Sequence, residues 1–123
     1  MKALVLAVAL VLLPTLLDAG TLMRIRVLHE VVRGVPQQLI TVFFWPAPED
    51  RMLQVEAEDP DVTRSSSIRL YGIESQRSYT FLWRLPATRI RDEVVEPYTV
   101  TAATADADGH ITGQAVTKFF VRR

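Results

Sequence analysis

EPYTVTAATADADGHITGQAVTKFFV, residues 96–121, decides the fold class. Tyr98, Val100 and Ala102 alternate with Thr99, Thr101 and Ala103; further on, Ile111, Ala115, Phe119 and Val121 alternate with Thr112, Gln114 and Lys118. An apolar period of two belongs to a half-buried β-strand and not to a helix. Between the two runs stands Asp106-Ala107-Asp108-Gly109, which is either the core of a calcium loop or the tight turn of a hairpin. An EF-hand-type loop needs oxygen ligands at its first, third and fifth positions, a glycine at the sixth and a glutamate at the twelfth. With Gly109 as the sixth, the first is Thr104 and the twelfth is Ala115, so only Asp106 and Asp108 fit. Two carboxylates dehydrate calcium poorly, whereas Asp-Gly supplies the positive φ angles of a two-residue hairpin turn. The hairpin is the reading adopted.

The same period runs backward through the chain. In residues 21–33, Met23, Ile25, Val27 and Val31 fall on one face and Arg24, Arg26 and Glu30 on the other, before Gly34-Val35-Pro36 breaks the run. QQLITVFFW, residues 37–45, is β-branched, aromatic and apolar on both faces, as a central strand is; Pro46 and Pro48 end it. Alternation resumes at Leu53, Val55 and Ala57, then at Ile68 and Leu70, then at Tyr79, Phe81, Trp83 and Leu85. Residues 87–96 are polar and charged and read as a connection with room for one helical turn. Seven short strands over roughly 100 residues, with turn signals between them and no amphipathic helix, form the pattern of a two-sheet β-sandwich.

Composition narrows the function classes. The 123 residues suffice for one domain, and 49% hydrophobic with 23% charged residues is a globular balance. Acidic and basic side chains number 14 each, so the basic excess of a nucleic-acid binder is missing. With no cysteine there are no disulfides, thiolate metal sites or cysteine nucleophiles.

The first twenty residues, MKALVLAVALVLLPTLLDAG, differ from the rest. Lys2 precedes an unbroken apolar run over residues 3–13, and Leu17-Asp18-Ala19 offers a small residue where a signal peptidase could cut. This is the layout of a secretory signal peptide. It divides the chain into a signal segment, 1–19, and a domain, 20–123. The competing reading is an uncleaved anchor formed by residues 3–17, shorter than the roughly 20 residues a spanning helix needs.

The stretch from Leu85-Pro86 through Tyr98-Thr99-Val100-Thr101-Ala102 to Asp108-Gly109 and Phe119-Phe120-Val121 resembles the end of immunoglobulin-like or fibronectin type III-like domains. Those often carry a Leu-Pro, a Tyr-x-Val-x-Ala strand, an Asp-Gly turn and a final apolar strand. The resemblance implies an immunoglobulin-like sandwich of seven strands. Two departures stand out: residues 87–96 make a long link between the Leu-Pro and the tyrosine, and the paired cysteines of antibody-type domains are absent. Such folds host many unrelated roles, so no functional residue carries over.

Chemistry-bearing residues are sparse. His29 and His110 are the only near-neutral general bases, and Ser65-Ser66-Ser67 lacks the Gly-x-Ser-x-Gly elbow of a hydrolase. Glu56, Glu58, Asp59 and Asp61 read as a solvated acidic loop. Trp45 and Trp83, with Phe43, Tyr79 and Phe81, could make a sugar-stacking platform, but alternating positions in apolar strands place them in the core. No catalytic, cofactor-binding or metal-ligating residue is assigned, and no cofactor is expected. The expectation is an extracytoplasmic, non-catalytic binding or structural module. Its partner would be another protein or a surface component, with membrane contact only through an uncleaved N-terminal segment. The alternative is a small carbohydrate-binding module using exposed aromatics.

Overall fold

The computed structural model describes residues 22–87, 90–91 and 94–121. The expected signal or anchor segment lies outside the described residues. In chain order the strands are β1 (Met23–Val32), β2 (Val35–Phe44), β3 (Met52–Glu58), β4 (Thr63–Arg69), β5 (Ser78–Trp83), β6 (Ile90–Arg91), β7 (Val94–Val95), β8 (Tyr98–Ala105) and β9 (Ile111–Phe119). A single 3-10 turn, Gly72–Glu74, lies between β4 and β5. Among the described residues no helix is long and apolar enough to cross a membrane.

Two antiparallel sheets face each other. One has the order β1-β2-β5 and the other β4-β3-β8-β9, so the seven main strands form a sandwich-like all-β fold. The core between them is built by alternation. Ile40, Val42 and Phe44 of β2, Leu53, Val55 and Ala57 of β3, and Tyr98, Val100 and Ala102 of β8 are all buried, joined by Phe81, Trp83 and Leu85. Burying a large apolar side chain contributes about 1.5–3 kcal/mol. Most of that stabilisation therefore comes from the central strands β2, β3 and β8.

The alternation in β3, β4, β5 and β8 is the one expected; that of β2 is inverted. The spacing of Phe43 and Trp45 predicts both in the core, on the face they share with Leu39, but Ile40, Val42 and Phe44 occupy it and Trp45 is 58% exposed. The cause is pairing. In β1 the arginines must face water, and Arg24 pairs with Phe43 while Ile25 pairs with Val42. Directly opposed residues share a face, so the arginines carry Phe43 outward. The β2 sequence is apolar on both faces and could not decide this alone. Val31, assigned by period to the inner face of β1, is also exposed, near the tip of the hairpin where its partner Pro36 is exposed too.

Turns differ from expectation in type. The two-residue turn with positive φ at both positions is Arg33-Gly34, at φ 52° and 79°, and β2 resumes at Val35. Pro36 sits inside the strand, where β2 has a single neighbour because β5 reaches only to Gln38. At the β8–β9 turn only Gly109, at φ 87°, is left-handed. Gly109 N–H donates to Asp106 O (3.0 Å) and Asp106 N–H to His110 O (2.9 Å), which closes a three-residue loop instead of a two-residue one. Such a loop combines a type I turn with one left-handed residue.

Two further features link the sheets. In the connection, β6 and β7 pair through Ile90 with Val95 and Arg91 with Val94, where the sequence left room for one helical turn. Ile90, Val94 and Val95 are β-branched, which favours extended backbone. The Tyr98 hydroxyl donates to Pro86 O at 2.8 Å and so ties β8 to the segment leaving β5.

Candidate functional site

Three polar groupings and one surface carry the chemistry. The first grouping is internal. Asp50, fully buried after Pro46-Ala47-Pro48-Glu49, accepts the Ala47 amide on Oδ2 (2.8 Å) and the Thr112 hydroxyl on Oδ1 (2.5 Å). The hydroxyls of Thr112 and Thr104 lie 2.8 Å apart. Thr112 reaches inward because of a bulge: Ala105 pairs with Ile111 and Thr104 with Gly113, which leaves Thr112 as the extra residue. The same bulge turns Ile111, expected inside, out to solvent. Around Asp50 the backbone is fully engaged, with Gly72 N–H donating to Asp50 O (3.0 Å) and Leu70 N–H to Arg51 O (2.9 Å). This grouping holds the loop before β3 against the last hairpin.

The second grouping is the exposed turn. Asp106 Oδ1 accepts the amides of Asp108 and His110, both at 2.9 Å, and Oδ2 lies 3.5 Å from His110 Nδ1. The His110 amide holds the Asp106 carboxyl below the usual carboxylate range; desolvation opposes it, and the Asp108 amide and the His110 side chain add to the lowering. Asp106, Asp108 and His110 are the one His, Asp or Glu cluster among the described residues whose ligand atoms all lie within 4.8 Å. One oxygen of that cluster is already committed to two backbone amides.

The remaining candidates stay apart. His29 packs its ring 6.0 Å from Phe119 of β9, whereas Ser65, Ser66 and Ser67 lie on β4, at the far edge of the same sheet. Three inter-strand spacings, about 14 Å, separate those edges. His110 stands at the opposite end of the molecule from His29. In the acidic loop, Asp59 Oδ1 accepts the amides of Asp61 (2.8 Å) and Val62 (2.7 Å), a local turn.

The surface is the outer face of the three-stranded sheet. Register builds it in rows: Arg24, Phe43 and Ser78; Arg26, Thr41 and Thr80; Leu28, Leu39 and Leu82. Leu28 is 45% and Leu82 52% exposed, and Trp45 continues the face beyond β2. The guanidinium groups of Arg24 and Arg26 stand 5.3 and 5.1 Å from the Phe43 ring centre, and that of Arg77 stands 4.0 Å from Trp45. A shallow depression of about 370 Å³ lies between Leu22, Arg24, Phe43, Trp45 and Arg77. Among the described residues no carboxylate forms an ion pair with Arg24, Arg26 or Arg77. The outer face of the other sheet is mixed: Ser65, Ser67, Gln54, Glu56, Thr99 and Thr101 lie on it, together with the exposed Met52, Ile111 and Val116. The sequence carried a trace of the apolar face, since Leu28 and Leu82 interrupt their polar positions, but only the register shows that they meet across Leu39.

Trp83 is buried at 3% and Trp45 is exposed, so the two tryptophans, expected together in the core, belong to different environments. Comparison of the chain with known protein families and with curated proteins gave no match in either case.

Proposed function

We propose that the protein is an extracytoplasmic, non-catalytic binding module that works through the outer face of its three-stranded sheet. The observation that carries this reading is the row Leu28–Leu39–Leu82 beside Phe43 and Trp45, with Leu28, Leu82 and Trp45 exposed among the described residues. A solvated antiparallel sheet normally turns polar residues outward. A contiguous apolar patch on such a face marks an interaction site.

We also infer an immunoglobulin-like or fibronectin type III-like sandwich. Sheets that exchange strands as β1-β2-β5 against β4-β3-β8-β9 support it, and so does the Tyr98–Pro86 hydrogen bond, which has the form of a tyrosine corner. The fourth strand pairs with the third and not with the fifth, unlike antibody constant domains. The extracytoplasmic location rests on residues 1–19 of the sequence.

The carbohydrate alternative rests on Trp45 and Phe43, two positions apart on one face. It is the weaker reading, because arginine side chains already stack on both rings. Photo-crosslinking in the native compartment separates the possibilities. A benzoylphenylalanine at Leu82 should give adducts, and one at Ser65 should not. Adducts from Ser65 alone would transfer the function to the other sheet.

A further inference from the structure

Building on that face as the binding surface, we propose that its occupant is an anionic lipid surface, with the three-stranded sheet lying flat against the headgroups. Three observations converge. First, the charge is one-sided: Arg24, Arg26 and Arg77 flank the face, and β1, β2 and β5 together contain a single carboxylate, Glu30, at the far end. Each guanidinium lies over an aromatic ring, 4.0–5.3 Å from its centre, and a guanidinium presents five N–H donors suited to a phosphate. Second, the apolar members suit an interface. Trp45 stands at the margin of the face and leucines fill its middle, the combination that settles at the level where headgroups meet acyl chains.

Third, the chain itself leads there. The described residues begin at Leu22, on the rim of the depression beside Trp45, and Trp45 N–H donates to Leu22 O at 3.3 Å. Only five peptide steps separate Leu22 from Leu17, the last residue of the apolar N-terminal run. Five extended residues reach at most about 18 Å. If residues 3–17 stay in the bilayer, Leu22 is confined to the headgroup layer or just outside it, and the arginine-aromatic end of the sheet is the part of the domain nearest the lipid. If they are removed, the same face binds peripherally and more weakly, since each arginine near an anionic surface improves partition about fivefold.

The test uses Trp45 as reporter, because Trp83 is shielded in the core. The protein, in whichever form cells hold it, is added to vesicles of phosphatidylcholine alone or mixed with phosphatidylglycerol, with brominated acyl chains as quencher. The expected result is a blue shift and quenching of Trp45 on the mixed vesicles only. It should be reversed by salt and abolished by the triple variant Arg24→Glu, Arg26→Glu, Arg77→Glu at unchanged melting temperature. A chain that keeps residues 3–17 associates with any vesicle, so there the Trp45 response and its arginine dependence are the readout. Should the triple variant fold poorly, the single changes to glutamine replace it, each lowering quenching in part. An equal response on neutral vesicles, or none on either, overturns the proposal. Saturable binding of heparin, or dimerisation that shields Trp45, without a lipid response assigns the face to a polyanionic glycan or to a second copy and overturns it as well. The binding-face reading survives those two outcomes. It fails separately if Leu82 gives no adduct of any class.

Discussion

Thr112 on the β9 bulge places its hydroxyl 2.5 Å from Oδ1 of the buried Asp50, across 62 residues of sequence. One hydrogen bond thereby connects the proline-rich β2–β3 loop to the last hairpin. A buried acceptor removed from under its donors leaves them unsatisfied, at about 1–3 kcal/mol for each. Asp50→Ala should therefore cost about 3 kcal/mol and Thr112→Val less. The two should couple, because both act through the same bond. A double-mutant cycle by urea unfolding is expected to return a coupling of about 1–2 kcal/mol. Strict additivity would show that the contact contributes nothing to stability.

Gly72 and Gly109 both adopt positive φ, at 60° and 87°, but their surroundings differ. A Cβ at Gly72 would stand 2.7 Å from Pro48 O, whereas one at Gly109 meets nothing within 4 Å. Gly109→Ala should cost about 1 kcal/mol from backbone strain alone. Gly72→Ala adds a clash with fixed backbone and should cost about 3 kcal/mol. Thermal melting of the two variants ranks them; equal losses would mean that the loop carrying Pro48 yields freely.

These two sites also show where sequence reading stops. Period-two alternation located the buried faces of β3, β5 and β8, because the larger apolar residues of each of those strands fall mainly on one side. It failed at β2, where Leu39 and Ile40 are equally apolar and only the partner strand's arginines choose between them. Asp50, Gln38 and Thr104 were invisible as buried groups. A carboxylate, an amide and a hydroxyl read as surface residues until their partners are known, and the partner of Gln38 Oε1, the Leu85 amide at 2.8 Å, lies 47 residues away. The arginine-aromatic face is of the same kind. Arg24, Phe43 and Arg77 are scattered in sequence, and the antiparallel register alone brings them together.

Asp106 supplies a pH prediction. Its folded carboxyl is held below the ordinary value of 3.8, first by the His110 amide. A depressed folded pKa contributes stability that is fully present above the unfolded value and lost as pH falls through the folded one. The effect is thus confined to the acid side of pH 4 or so, and neutral stability should not respond to small pH changes through this group. Carboxyl-carbon NMR titration should give Asp106 a midpoint below the ordinary value of 3.8. Millimolar calcium should leave the Asp106 and Asp108 signals in place, since Asp106 Oδ1 already serves two amides. A midpoint above the ordinary range, or calcium-dependent shifts, would transfer the turn from structure to metal binding.

The two tryptophans give the most direct check on the register of the three-stranded sheet. Trp83 is 3% exposed, 5.9 Å from the Phe81 ring in the core, and Trp45 is 58% exposed under Arg77. Removing a core tryptophan costs about 3–5 kcal/mol through lost burial and the cavity left behind. A domain of this size has only about 5–15 kcal/mol in hand, so Trp83→Ala should lower the melting temperature severely or abolish the transition. Trp45→Ala forfeits one exposed cation–π contact, about 0.5–1 kcal/mol, and should fold normally. Emission should divide accordingly. Iodide should quench the Trp45 component and spare Trp83, so the Trp45→Ala protein should emit at shorter wavelength and resist quenching. If Trp45→Ala is the damaging change, or if iodide reaches both residues, Phe43 and Trp45 belong to the core side of β2. The face built from Arg24, Phe43 and Leu82 would then not exist.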